Sequence, residues 1–141
     1  MRLWLAVMLS LLVCTAGCTR YSLEKGEPEI ELSETSIDFG SVERGFYRTI
    51  SIAVYNQGNG TLTVSDYVFQ AGTSEAFYFE DPQYEVTPNT FAELTVRYTP
   101  THEGGDAGAI IIRSDDVDEP ELIVFLQGLG VIPHCEIIPS L

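Results

Sequence analysis

The chain has 141 residues, of which 45% are hydrophobic and 11% aromatic, enough to bury the core of one folded domain and too many for a disordered chain. Its 7 Lys and Arg stand against 21 Asp and Glu, a formal net charge of -14. That balance excludes nucleic-acid binding, which depends on clustered cations, and it favours solubility without naming a ligand.

The first element is a leader. Met1-Arg2 carries one positive charge ahead of Leu3 to Val13 (LWLAVMLSLLV), which is apolar except for Ser10. A spanning helix needs about 20 such residues, so the run suits a secretory signal instead. Cys14-Thr15-Ala16-Gly17-Cys18 follows, and the small residues Ala16 and Gly17 directly before Cys18 resemble the bacterial lipobox. The resemblance implies a signal peptide over residues 1–17, cleavage between Gly17 and Cys18, and a lipid anchor on Cys18 that holds the protein to a membrane of the bacterial cell envelope. Thr15 departs from the aliphatic residue usual in that motif, so ordinary signal cleavage with a free Cys18 stands as a second reading. An uncleaved anchor is a third reading, disfavoured by the short apolar run, and all three export the chain. Acylation of Cys18 leaves Cys135 as the one mature thiol, whereas a free Cys18 allows a Cys18–Cys135 bridge in an oxidising compartment. Residues 18–28 comprise the lipidated Cys18 and a flexible tether, the polar run Tyr21 to Glu29 (YSLEKGEPE) carrying a Gly and a Pro.

From Ile30 onward apolar residues recur at spacing two, the pattern of half-buried strands. Ile30 and Leu32 begin it, and Ile37 and Phe39 continue. In Arg48 to Asn56 (RTISIAVYN), Ile50, Ile52 and Val54 share one face. Asn56-Gln57-Gly58-Asn59-Gly60 predicts a tight hairpin, since Asn-Gly tolerates positive φ. Leu62 and Val64 are out of phase with Tyr67 and Phe69, which predicts a bulge near Ser65-Asp66. Phe77 and Phe79 mark a short strand, and Pro88-Asn89 a turn. Ala92, Leu94, Val96 and Tyr98 then alternate cleanly with Glu93, Thr95, Arg97 and Thr99. Gly104-Gly105 interrupts the pattern, Ile110 and Ile112 resume it, and Asp115 to Pro120 turns the chain into Leu122, Val124 and Leu126. No segment after the leader has helical periodicity. The predicted fold is all-β: an antiparallel sandwich of about seven strands, each needing a second sheet to cover its apolar side.

Ile37-Asp38-Phe39-Gly40, Val42, Gly45, Val54 to Leu62 (VYNQGNGTL), Tyr98-Thr99-Pro100, Gly108, Ser114-Asp115-Asp116 with Glu119-Pro120, and Leu126-Gln127-Gly128-Leu129-Gly130 resemble the immunoglobulin-like domain of abnormal-spindle and hydin proteins. This ASH/Hydin-like domain has bacterial surface relatives called choice-of-anchor D domains. The resemblance covers residues 29–131, implies an Ig-like sandwich there, and implies action through protein contacts. Asp38-Phe39-Gly40 is also a kinase triplet, but the glycine-rich loop, strand lysine and HRD motif of a kinase do not occur. Its predicted role is structural: Phe39 enters the core, Gly40 bends the chain, and Gly45 serves the next turn.

No catalytic residue is predicted. His134 and Cys135 are adjacent and point apart in an extended segment, and no nucleophile elbow, P-loop or zinc motif occurs. No cofactor and no small-molecule substrate are expected. Asp115, Asp116, Asp118 and Glu119 are dense enough to suggest calcium, without EF-hand spacing or its glycine; the plainer reading is a solvated turn. Ile111, Ile123 and Phe125 fall opposite the inferred core and form a candidate partner surface if their strands pair, with cover by a loop or the tail as the competing reading. Residues 132–141 read as a tail, and Glu136 to Leu141 is similar to Glu29 to Ser33, as if a second repeat began there. The expected function is a non-enzymatic, lipid-anchored envelope protein whose Ig-like domain binds a protein partner. The alternatives are a calcium-dependent or carbohydrate-binding adhesin, and a strand-exchanging subunit that donates Glu136 to Leu141 to a neighbour.

Overall fold

The computed structural model describes residues 25–133, and every regular element among them is a strand. The strands are β1 (Ile30–Leu32), β2 (Ser36–Glu43), β3 (Arg48–Asn56), β4 (Leu62–Phe69), β5 (Phe77–Glu80), β6 (Glu85–Val86), β7 (Thr90–Tyr98), β8 (Gly104–Ser114) and β9 (Glu121–Val131). One sheet has the order β1-β3-β7-β5 and the other β2-β9-β8-β4-β6. Alternation dictates how they face. Ala92, Leu94, Val96 and Tyr98 of β7 are buried, as are Ile52 and Val54 of β3, and they meet Ile110, Ile112, Val124 and Leu126 from β8 and β9. The apolar side of each sheet covers the other.

The architecture is the Ig-like sandwich that the sequence predicts, with nine strands. β6, two residues long, is too short to leave a period in the sequence. The bulge falls where the phase change requires it, between Val64 and Asp66, and it keeps Leu62, Val64 and Tyr67 buried. The Thr87–Thr90 turn has Asn89 at φ 57 after Pro88, also as expected.

Four local features differ from expectation. β2 and β9 run parallel, while all other strand pairs are antiparallel. The chain crosses from the first sheet at β1 to the second at β2 without reversing, so β2 arrives beside β9 in the same direction. The Asn56 to Gly60 segment is no hairpin, because β3 and β4 lie in different sheets. Its glycines serve close approach rather than positive φ: a Cβ on Gly58 would strike the Glu27 carbonyl, and one on Gly60 the Gly26 carbonyl. The polar lead-in is correspondingly fixed from residue 26 on, since the Glu27 carbonyl accepts from Asn59 and Gly60 and the Glu29 carbonyl from Gln57. Only the part of the tether before these contacts lies outside the described residues. Finally, Gly104-Gly105 belongs to β8, paired with Gly130 and Leu129.

The triplet at the start of β2 shows how one end is closed. Phe39 is fully buried and packs on Phe77 and Tyr98, with ring centroids 5.6 and 5.4 Å away. Gly40 sits at φ 62 in the irregularity that breaks the β2–β9 ladder between Asp38 and Ser41. Asp38 accepts the Gly40 N–H, and Arg48 donates to the Phe39 carbonyl. Gly45 has φ 96 within the turn closed by Phe46 N–H to the Glu43 carbonyl. Beneath Tyr98 lies Gly128, where a Cβ would come 2.6 Å from the tyrosine ring. Because that ring is fully buried and cannot retreat, Gly128→Ala should cost about 1–3 kcal/mol. Gly105→Ala, whose Cβ would meet nothing within 4 Å, is the control and should shift the urea midpoint far less.

Candidate functional site: the outer face of the five-stranded sheet

β9 is the central strand of this site because it alternates twice over. Its inward residues Val124 and Leu126 fill the core, while Ile123, Phe125, Gln127 and Leu129 point away from it. Phe125 is 61% exposed, Leu129 45% and Ile123 40%. β8 and β9 do pair, which places Ile111 of β8 opposite Ile123, and Ile111 is itself paired on its other side with Val68. Ile111, Ile123 and Phe125 therefore lie on one side of the sheet, where Ile123 and Phe125 are exposed and Ile111 is half-buried, with Phe125 flanked by Ser36 of β2 and Ala109 of β8.

Leu129 extends this surface, and sequence reading missed it because the glycines around it masked the strand. Beside it the outer side chains shrink to Gly105 and Ala107, leaving an open groove of about 550 Å³ bounded by Asp38, Ser41, Gln127 and Leu129. A second depression of about 200 Å³ continues along the β2–β9 seam between Ser36 and Phe125. Asp38 and Gln127 stand between the two, joined by a 2.8 Å hydrogen bond from the amide to the carboxylate. The Gly40 N–H, and next Gln127, hold the Asp38 carboxyl below the usual range.

The acidic turn does other work. Asp116 is buried; one of its oxygens accepts the Ile30 N–H at 2.8 Å, and the other accepts from Asp118 and Glu119. Asp115 accepts the Thr63 N–H. Asp118 and Glu119 are exposed, and no group of three or more acidic, His or Cys side chains among the described residues is arranged to hold a metal. The turn thus ties β1 and β4 to the β8–β9 connection. Asn56 does the same nearby: its buried amide donates to the carbonyls of Gly60 and Val86 and accepts from Glu29 and Gly58.

At the opposite end Asp106 gathers a second buried network. Tyr98 donates to it at 2.7 Å and Ser74 at 2.5 Å, and the His102 ring lies 3.7 Å from the oxygen that Ser74 occupies. Serine, histidine and aspartate meet here with the carboxyl in the middle, so the hydroxyl proton goes to Asp106 rather than to the imidazole that would activate a nucleophile. Burial first, then Asp106, raises the Tyr98 phenol far above its ordinary range.

Outside the face, Arg97 lies over the rings of Tyr47 and Tyr78 at 4.3 and 5.2 Å and pairs with Glu80. Gly17, Cys18, His134, Cys135 and the Glu136 to Leu141 segment lie outside the described residues.

Residues 28–128 match the family model described as the HYDIN/CFA65/VesB-like Ig-like domain, and the chain belongs to that family. It is the family that the sequence motifs resemble, and its fold is consistent with a protein-interaction module. Among solved structures, a protein of unknown function from Porphyromonas gingivalis W83 is 19% identical with a TM-score of 0.64, over 73% of this chain and 47% of that one. The ASH/PapD-like domain 7 of human CEP192 is 15% identical with a TM-score of 0.60, over 74% and 87% of the respective chains. The Vibrio cholerae VesB protease is 10% identical with a TM-score of 0.59, over 71% of this chain but 31% of its own. The present chain thus spans about half of the Porphyromonas protein and under a third of VesB. At these identities the likeness is one of fold. No curated protein matches.

Asp116 generates a pH prediction. Burial alone would raise its carboxyl, but the backbone donors at Ile30, Asp118 and Glu119 together outweigh it and leave the group below its ordinary value. A depressed folded value means stability that is fully present above the unfolded pKa of about 3.9 and lost as pH falls through the lower folded value. Asp116→Asn should therefore cost about 1–3 kcal/mol at neutral pH. The gap between the variant and the natural protein in urea unfolding should narrow as pH drops below about 4; a gap of constant size would show that the charge is immaterial.

Proposed function

We propose that this protein is a lipid-anchored, non-catalytic interaction module of the bacterial cell envelope, held to a membrane through Cys18 and engaging a protein partner with the outer face of its five-stranded sheet. The observation that carries the reading is the side of β9 that bears Ile123, Phe125 and Leu129, large apolar groups that remain substantially exposed. Apolar exposure of this kind, here interrupted by the Gln127–Asp38 pair, commonly marks an interface on a folded domain. The Ala16-Gly17-Cys18 motif supports the anchor, and two or three acyl chains would hold the protein at about 0.8 kcal/mol per buried methylene.

Two substitutions test the parts separately. Cys18→Ser should abolish labelling by a palmitate analogue and move the protein from the membrane fraction to the soluble one. A photoreactive phenylalanine analogue at position 125 should form a discrete heavier adduct in intact envelopes, while the same group at exposed Phe91 should not. Phe125→Ser should change folding stability by no more than about 0.5 kcal/mol, as expected of a surface position. Global unfolding of that variant would mean that the face is covered within the molecule.

A further inference from the structure

We propose that the outer face of β9 takes a basic polypeptide segment carrying aliphatic side chains at alternate positions, with one of them seated in the Leu129–Ala107 groove. This rests on the reading of that face as an interface and specifies the chemistry of its occupant.

Charge carries the first half of the inference. Across the five strands of this sheet, Asp38, Glu43, Asp66, Glu85 and Glu121 lie on the outer side, and Arg113 is the one cation. Arg113 is already engaged, 3.1 Å from Glu121 and 3.8 Å from Asp66. Asp38, held ionised by its hydrogen bonds, stands at the meeting point of the two depressions. Arg44 and Arg48 stand at the Glu43 end, so Asp38 is the anionic contact of the strip: an occupant's own carboxylate would meet like charge there, whereas a lysine or arginine side chain would pair with it. The same argument disfavours a second copy of this chain at net charge -14, and it disfavours residues 134–141, which contain Glu136 and no Lys or Arg.

Shape carries the second half. Ile123, Phe125, Gln127 and Leu129 rise at every second residue, so the strip repeats at about 6.6 Å and is about 20 Å long. An extended segment has the same repeat and can place side chains on both sides of Phe125. The groove beside Leu129, about 550 Å³ and floored by Gly105 and Ala107, has room for one aliphatic side chain with its neighbours.

The test uses the full chain, isotope-labelled in detergent micelles, and peptides of about eight residues that span the strip. One peptide alternates leucine with lysine, a second leucine with glutamate, and a third serine with lysine. The leucine–lysine peptide should shift the amide signals of Ala107, Ile123, Phe125, Gln127 and Leu129, and should bind at least ten times more tightly than either of the others. Leu129→Ser should weaken it about tenfold with an unchanged unfolding midpoint, and added salt should weaken it further. Equal binding of the leucine–glutamate peptide overturns the cationic requirement while leaving the face an interface. Equal binding of the serine–lysine peptide overturns the apolar one. Shifts that spread over the whole acidic surface, or binding that appears only after residues 134–141 are deleted, also overturn the proposal, and self-association through this face would assign it to a second copy instead.

Discussion

The two sheets are joined at one end by a single buried contact set: Tyr98 of β7 reaches across to Asp106 of β8, with Phe39, Phe77 and Gly128 packed around its ring. Everything about the candidate site depends on this joint. β9 is held between β2 and β8, and its inward register is fixed because only a glycine fits beneath the tyrosine at position 128. A slip of one residue would drive a side chain into that ring and turn Phe125 into the core. The phenol and carboxyl satisfy each other in a place where either alone would be costly to bury. The joint is therefore selective as well as cohesive: it specifies which side of β9 meets solvent.

The other end is held differently. There polar side chains bridge backbone segments, Asp116 to β1 and Asn56 to the crossing between sheets. Both are buried and hydrogen-bonded, so they order three connections without needing hydrophobic volume. The acidic density around residue 116 is explained by this backbone work, and the glycines at 26, 58 and 60 by the closeness of the strands that the side chains tie together.

Much of this was legible before the structure. The period of two in β3, β7 and β9 predicts the buried residues directly, and the phase change between Val64 and Tyr67 predicts the bulge, because both follow from side-chain alternation alone. Phe39 and Gly40 were readable as structure for the same reason. The crossing at Asn56 to Gly60 was not, since turn residues for a hairpin and for a sheet-to-sheet passage are alike, and what separates them is which sheet each strand joins. Within the site, Ile111, Ile123 and Phe125 were identifiable as apolar residues in the wrong phase. The groove beside Leu129 was invisible: it arises from what Gly105 and Ala107 lack, seen across strands, and glycine carries no periodic signal. Asp106 was likewise silent, because its partners Ser74 and Tyr98 are distant in sequence or in another sheet.

The family is consistent with a protein-interaction module, and the proposed function assigns the contact to the outward side of β9. On that proposal, the net charge of -14 would give the contact a sign. The claim beneath all of it is that Tyr98 and Asp106 act as one unit that locks the sheets in register. A double-mutant cycle tests this most directly, with Tyr98→Phe, Asp106→Asn and the pair compared in urea unfolding at neutral pH. The account predicts a coupling energy of about 1–3 kcal/mol between the two positions, and strictly additive losses would contradict it.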